Sequence, residues 1–111
     1  MNQRMREPTY FLLTALQDEP LHGYAIISRA AELSGGRVRL ATGTLYAALD
    51  RLSDEGFVEA VRSEIVNGRA RRYYAITGDG MAALRAEAEI MAGAARLVLR
   101  GPAPRLAGGL A

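Results

Sequence analysis

The dipeptide Asn67-Gly68 most strongly restricts how this chain can fold. It stands between the segments FVEAVRSEIV (57–66) and RRYYAIT (71–77), which are rich in β-branched and aromatic residues and partly alternate polar with apolar side chains. Asn-Gly favours the tight two-residue turn of a β-hairpin, and flanking segments of this kind strengthen the signal. The sequence therefore predicts one antiparallel hairpin with arginines near its tip.

Four segments show the three-to-four-residue spacing of apolar side chains that is typical of amphipathic helices. Helices are predicted at 8–17, His22–Leu33, 42–55 and Gly80–Leu99, and the alternating segment RVRL (37–40) is predicted as one short strand. Three helices, a hairpin and a long helix follow one another. This order predicts a mainly α fold with a small β-hairpin wing: a winged helix-turn-helix domain plus a C-terminal dimerisation helix.

The same pattern divides the chain into parts. Residues 8–77 are predicted to form the DNA-binding domain, residues 78–100 the dimerisation helix, and residues 101–111 a disordered tail. Apolar residues recur along the last helix and are predicted to join two copies: Met81, Leu84, Ala88, Ile90, Met91, Ala95, Leu97 and Val98. Met81 and Met91 could instead line an effector pocket, because methionine adapts to varied ligands.

Composition excludes several kinds of site. The chain of 111 residues has no cysteine and one histidine, so disulfides, thiolate metal sites and multi-histidine metal sites are excluded. No nucleophile–base pair is visible, and we therefore expect no enzyme activity, no metal and no cofactor. No apolar stretch approaches the roughly 20 residues of a membrane span, and the start does not resemble a signal peptide. We expect a soluble cytoplasmic protein without membrane contact.

The third predicted helix has an unusual first turn. Thr42, Gly43 and Thr44 are weak helix formers and none is acidic, although an acid would suit the helix dipole better. Small side chains leave the N–H groups and hydroxyls open to phosphates and base edges. We therefore predict that these three residues and Tyr46 contact DNA. The alternative is that Thr42 is only an N-cap and Tyr46 a core aromatic.

All 14 basic residues are arginine, whose planar guanidinium suits phosphate. Arg69, Arg71 and Arg72 follow the hairpin turn, and together with Gly68 they are predicted to contact DNA, with an arginine entering the minor groove. Arg71 and Arg72 should face opposite sides of the strand. The alternative is a solvated turn whose charges only protect an edge strand.

Four other residues have two interpretations each. Arg37 and Arg39 share one face of the predicted strand, where they could hold a phosphate or pair with local acids such as Glu32. Tyr24 could contact the DNA backbone or pack. His22 could be catalytic or a pH switch, but we favour a role in capping or packing the second helix.

Several blocks in a fixed order resemble the PadR family of bacterial transcriptional regulators. They are LHGYAI (21–26), LSGGRVRLATGTLYAALDRLSDEGFV (33–58), GRARRYYAIT (68–77) and GDGMAAL (78–84). The resemblance is to the short subfamily, and it implies a winged-helix domain and a homodimer on a pseudo-palindromic operator in double-stranded DNA. The family commonly has Ser-Pro where this chain has Ala41-Thr42.

The resemblance also bears on regulation. We expect a repressor released by a small hydrophobic effector, since some short members bind flat hydrophobic compounds at the dimer interface with the help of a tryptophan. This chain has no tryptophan. The alternative function is a winged helix used for protein–protein contact, with weak or no DNA binding. The basic wing and the acid-free helix start favour the regulator.

Overall fold

Four helices and a three-stranded antiparallel sheet make up the fold, seen in a computed structural model that describes residues 4–102. The elements in chain order are α1 (Glu7–Ala15), β1 (Leu21–His22), α2 (Gly23–Leu33), α3 (Thr42–Asp54), β2 (Val58–Val66), β3 (Arg69–Ile76) and α4 (Gly78–Leu99). The mainly α fold with a hairpin wing is confirmed. The tail predicted for 101–111 lies, from residue 103 onward, outside the described residues.

The core lies where the apolar faces of α1, α2 and α3 meet. Its largest fully buried side chains are leucines and one isoleucine, namely Leu12, Leu13, Leu16, Ile26, Leu45, Leu49 and Leu52. Burying each of them stabilises the fold by about 1.5–3 kcal/mol relative to leaving it exposed. Val58 and Tyr74 extend this core beneath the sheet. The start of α3 therefore projects from a firmly packed base.

Helix α3 begins at Thr42 and ends at Asp54, close to the predicted 42–55. Ala41 occupies the N-cap position, and no side chain caps the helix. Thr42 is thus the first helical residue rather than the N-cap. At the other end, the N–H of Phe57 donates to the carbonyl of Leu52 at 2.9 Å, and this bond closes the end of the helix around Gly56, whose φ is positive.

The strand predicted at 37–40 is wrong. Val38 and Leu40 are buried whereas Arg37 and Arg39 are exposed, so the alternation is real, but the segment joins no sheet. Its backbone is held instead by a side chain, because the N–H of Val38 donates to Oγ of Ser34 at 2.8 Å. The segment is an anchored connection that leads directly into α3.

The third strand of the sheet is β1, which lies between the first two predicted helices and includes the predicted first residue of the second helix, His22. Leu21 pairs with Tyr74 and His22 with Tyr73, so the strand order is β1-β3-β2. His22 is consequently the N-cap residue of α2 rather than its first helical residue. This short strand brings the start of α2 beside the wing.

The hairpin forms around Asn67-Gly68 as predicted. Both residues have positive φ, 52° and 77°, as the tight turn of a two-residue hairpin requires. The base of the hairpin is buried at Val58 and Tyr74, whereas the distal part is largely exposed. The hairpin therefore stands out from the core as a wing.

Helix α4 begins at Gly78, two residues before the predicted start, because Thr77 caps it: Oγ1 of Thr77 accepts a hydrogen bond from the N–H of Gly80 at 3.0 Å. Its buried residues are Gly80, Leu84 and Glu87. Leu84 was predicted at the contact between copies, but it is 4% exposed and packs in the core of its own protomer.

Beyond Glu87, helix α4 has no buried residue and extends away from the core. Within residues 4–102 no helix is both long enough and apolar enough to cross a lipid bilayer.

Candidate nucleic-acid interface

The first turn of α3 forms an open surface. Thr42, Gly43 and Thr44 are exposed, and a side chain added at Gly43 would meet nothing within 4 Å. The first N–H groups of any helix have no intrahelical partner, and here no side chain caps them and no acid lies in the first turn. These groups can therefore donate to an approaching anion.

Tyr46 lies one residue beyond this turn and leans over the start of α2. A Cβ added at Gly23 would clash with the Tyr46 hydroxyl oxygen and would lie 3.1 Å from the ring carbon Cζ. Gly23 is therefore the residue that lets Tyr46 approach α2. Tyr46 is 42% exposed, so it is not the buried core aromatic of the alternative interpretation. Its hydroxyl has no hydrogen-bond partner within residues 4–102.

Tyr24 lies in the first turn of α2, along the same cleft as Tyr46. Its side chain is 69% exposed, which removes the packing interpretation and leaves the phenol open to a ligand. Tyr24 and Tyr46 thus present two hydroxyl groups on the same side of the molecule.

The wing closes this surface on its far side. An open cleft of about 340 Å³ lies between the wing on one side and the start of α2 with Tyr46 of α3 on the other. It unites residues predicted separately from three elements, and it is lined by His22, Gly23, Tyr24, Tyr46, Val66, Asn67, Arg69, Ala70, Arg71 and Arg72. Thr42, Gly43 and Thr44 lie outside this lining, at the exposed start of α3. A cleft with two tyrosines and the two arginines of one strand face, Arg69 and Arg71, along its lining can bind phosphate.

The three wing arginines are not equivalent. In the strand register Arg71 lies opposite Glu64 and is partly buried, whereas Arg72 lies opposite Ser63 and is exposed. Successive strand residues face opposite sides, so Arg69 and Arg71 share one face and Arg72 points to the other. None of the three forms an ion pair with an acid in the described part of the chain.

His22 packs against the wing from the opposite edge of β3. Its ring meets the ring of Tyr73 edge to face, with centroids 5.4 Å apart, and the guanidinium of Arg62 lies 4.0 Å above the Tyr73 ring. Nδ1 of His22 is buried and has no hydrogen-bond partner within residues 4–102. The packing role favoured for His22 fits this geometry, but its partner is the wing as well as α2.

Burial lowers the pKa of His22, and the positive charge of Arg71 lowers it further, while Glu64 opposes the shift. Because the folded state binds this proton less tightly than the unfolded chain, the stability tied to neutral His22 is full above about pH 6.5 and is lost as the pH falls. We predict that the imidazole titrates with a midpoint below that of an unfolded peptide. The chain has one histidine, so its NMR signals are unambiguous. A midpoint at or above about 6.5 would contradict the packing described here.

Of the two arginines before α3, Arg37 alone has an acidic partner among residues 4–102. Arg37 pairs with Glu7 of α1 and not with Glu32, which is bound by Arg29 at 2.5 Å. Arg39 is exposed and folds back over Gly36, with its Nη2 atom 3.2 Å from the position of an added Cβ. Arg39 is therefore the better placed of the two for a phosphate, since Arg37 would first have to release Glu7.

The outer half of α4 is a separate apolar surface. Met81 and Ala88 are partly buried within their own protomer, and Leu84 is buried there. The residues farther along are exposed, including Ile90 (48%), Met91 (38%), Leu97 (81%) and Val98 (78%). The regular apolar row of this helix is thus divided between the core and an open surface.

Sequence analysis missed three parts of this arrangement. It did not pair His22 with Tyr73, because a two-residue strand carries no periodic signal. It overlooked Arg62, which stacks on the same tyrosine. It also sought the partner of Arg37 among nearby acids, whereas Glu7 lies on another helix. No local pattern could have supplied these contacts.

Three helices, a short strand and a hairpin wing define the class of this protein as winged helix-turn-helix. Residues 12–86 match the model of the transcriptional regulator PadR-like family. The chain is 38% identical over 84 residues to the transcriptional regulator Rv3488 of Mycobacterium tuberculosis, covering 76% of this chain and 75% of that protein. The chain belongs to the PadR-like family of transcriptional regulators, a family of regulators and not of enzymes.

A second relative is a 37.1 kDa protein of transposon Tn4556 from Streptomyces fradiae, 38% identical over 89 residues. The match covers 80% of this chain but only 24% of that protein, so the chain spans about a quarter of its length.

Solved structures share the fold. The regulator TA0346 of Thermoplasma acidophilum superposes with a TM-score of 0.66 at 26% identity, covering 82% of this chain and 84% of that one. PadR of Bacillus subtilis in complex with operator DNA superposes with a TM-score of 0.63 at 26% identity, covering 92% of this chain and 54% of that one.

Proposed function

We propose that this protein binds double-stranded operator DNA, with the start of α3 in the major groove and the wing in the adjacent minor groove. One observation carries the proposal: the cleft that brings Tyr24 and Tyr46 together with the three wing arginines. The likeness to B. subtilis PadR, solved with operator DNA, supports it. Residues 8–77 would form the DNA-binding domain.

The contacts divide by chemistry. Phosphates are met by the phenols of Tyr24 and Tyr46, by Arg39, Arg71 and Arg72, and by the free N–H groups of Thr42 and Gly43. Arg37 joins them once it exchanges Glu7 for a phosphate. Thr44 reaches a base edge with its hydroxyl or methyl group, and Arg69, beside Gly68 at the tip, enters the minor groove. Supporting this division, none of the wing arginines is engaged by an acid in the described part of the chain.

The second part of the proposal is a homodimer through α4, residues 78–100. Exposed apolar side chains along its outer half would otherwise remain in contact with water. Two copies of the helix would cover Ala88, Ile90, Met91, Ala95, Leu97 and Val98, with Met81 at the edge of the contact. Sedimentation at micromolar concentration should give the mass of two chains. A single-chain mass would contradict the dimer.

A homodimer fits a pseudo-palindromic operator, because two-fold symmetry in the protein matches two half-sites in the DNA. We further propose that binding represses transcription and that a small hydrophobic effector, seated between the two α4 helices near Met91, releases the DNA. A protein acting on chromosomal DNA in this way works in the cytoplasm.

A footprint on the DNA immediately upstream of the protein's own coding region tests the proposal directly. We expect a protected region with two related half-sites, and a random duplex of equal length as competitor should remove it only at high excess. Absence of protection together with a salt-independent protein partner would favour the alternative function, a protein–protein contact module.

The hydroxyl of Tyr46 provides a sharper test of the interface. If it donates to a phosphate, Tyr46→Phe should keep the melting temperature and lose roughly 1–2 kcal/mol of DNA affinity. The loss should be similar on operator and random DNA, because phosphate contacts carry little sequence information. Thr44→Ala should weaken operator binding more than random binding.

Fluorescence anisotropy at fixed salt would measure all of these affinities. Tyr10→Phe is a matched control, since it removes a hydroxyl from α1 outside the cleft. Unchanged binding by Tyr46→Phe would mean that the Tyr46 ring only packs over Gly23.

A further inference from the structure

One ion pair joins the first described residue, Arg4, to the middle of helix α4. Nε and Nη2 of Arg4 donate to Oε2 of Glu87 at 2.9 and 2.5 Å, and the N–H of Met5 donates to Oε1 at 3.3 Å. The Glu87 side chain is only 9% exposed. The hydrogen bond from Arg4 is the main cause that lowers the pKa of the Glu87 carboxyl. We refer to this ion pair as the Arg4–Glu87 clasp.

The position of the clasp along α4 gives it a mechanical role. The buried residues of α4 are Gly80, Leu84 and Glu87, and none follows. Within residues 4–102 the Arg4–Glu87 clasp is therefore the last buried contact that α4 makes with its own protomer. The helix continues from there to Leu99, a length of about 18 Å at 1.5 Å per residue.

The apolar contacts of α4 and the Arg4–Glu87 clasp differ in how strongly they restrain the direction of the helix. Apolar contacts such as those of Leu84 are individually non-directional, so they restrain the tilt of the helix only through the packing of the surrounding side chains. A guanidinium that binds a carboxylate through two N–H groups fixes direction as well as distance. A tilt of about 10° at Glu87 would move the end of the helix by roughly 3 Å.

We propose that the Arg4–Glu87 clasp sets the angle at which α4 leaves the winged-helix domain, and thereby the separation of the two DNA-reading surfaces in the homodimer. The inference rests on the proposed homodimer through α4. Half-sites lie about one helical turn of DNA apart, roughly 34 Å, so a dimer whose spacing varies by several ångströms fits its operator less well. Arg4 and Glu87 are thus positioning residues.

Distance measurement between two spin labels tests this inference. The chain has no cysteine, so Ser53→Cys, on the exposed surface of α3, gives one label per protomer. In this background we expect a single narrow distance between the two labels of a dimer. Arg4→Ala, and independently Glu87→Gln, should at least double the width of the distribution or shift its centre by several ångströms.

Two matched controls separate the clasp from a general loss of charge. Arg6→Ala removes an exposed arginine from the same segment, and Glu89→Gln removes an exposed acid from the same helix. Both should keep the narrow distance. Arg4 is largely exposed, so Arg4→Ala should still fold even if Glu87→Gln does not.

The possible results distinguish failure of the positioning role from failure of the proposed homodimer. An unchanged narrow distribution in Arg4→Ala, with dipolar coupling intact, would overturn the positioning role and leave the homodimer standing. Absence of any dipolar coupling in the Ser53→Cys background would overturn the homodimer itself, and the inference with it.

Discussion

Gly80→Ala is expected to destabilise the protein by about 1–3 kcal/mol, the range for forcing extra atoms into a packed site. A Cβ at this position would clash with the carbonyl oxygen of Phe57 and would lie 2.8 Å from Cγ1 of Ile76. The Phe57 carbonyl already accepts the N–H of Thr77 at 3.0 Å, so it cannot move without loss of that bond. The first turn of α4 would separate from the wing base.

Gly78 supplies the matched control two residues earlier in the same helix. A Cβ at Gly78 meets nothing within 4 Å, so Gly78→Ala should be neutral or should stabilise by up to about 1 kcal/mol through the gain in helix propensity. Urea denaturation of both variants measures the two changes. Equal stability of the two would contradict the close approach of α4 to Phe57.

Loss of both Arg69 and Arg71 is expected to have the largest effect on DNA affinity. The two side chains share one face of β3 and line the cleft. If Arg71 gives a hydrogen bond to a phosphate and Arg69 gives one to an uncharged base edge, the double change to alanine removes roughly 2–4 kcal/mol. That is a loss of affinity of at least about thirtyfold. Stability should change little, because neither side chain belongs to the core.

Arg85 provides the control for this variant. It is an exposed arginine of α4, outside the cleft, and Arg85→Ala removes positive charge without changing the wing. Anisotropy titrations at one salt concentration compare the variants. In addition, the pKa of His22 should rise when Arg71 is removed, because the Arg71 charge lowers it. Affinity equal to that of the control would mean that the wing does not contact DNA.

Most of the fold could be predicted because its signals are local. Asn67-Gly68 specified the turn through its backbone preference, and the apolar spacing of α3 specified a helix whose inner leucines are buried. The hairpin and the long last helix followed from the same reasoning. The predictions failed where the position of a residue depends on contacts with parts of the chain that are distant in sequence.

The segment 37–40 illustrates this limit. Its alternation is typical of a half-buried strand, yet Ser34 binds its backbone and β1 takes the place beside β3. Leu84 shows the same limit in a helix, since a periodic apolar row does not reveal which of its members face the core. The grouping of Tyr24, Tyr46 and the wing arginines around one cleft also required tertiary structure.

The central claim, that this surface binds DNA through its phosphates, is tested most directly by the salt dependence of duplex binding. Anisotropy with one labelled duplex should give a logarithm of the association constant that falls linearly with the logarithm of the salt concentration. Each neutralised phosphate adds about 0.9 to the slope, so the Arg69→Ala/Arg71→Ala variant, which loses the phosphate contact of Arg71, should have a slope shallower by about 1. No binding at low salt, or binding whose strength does not change with salt, would contradict the account.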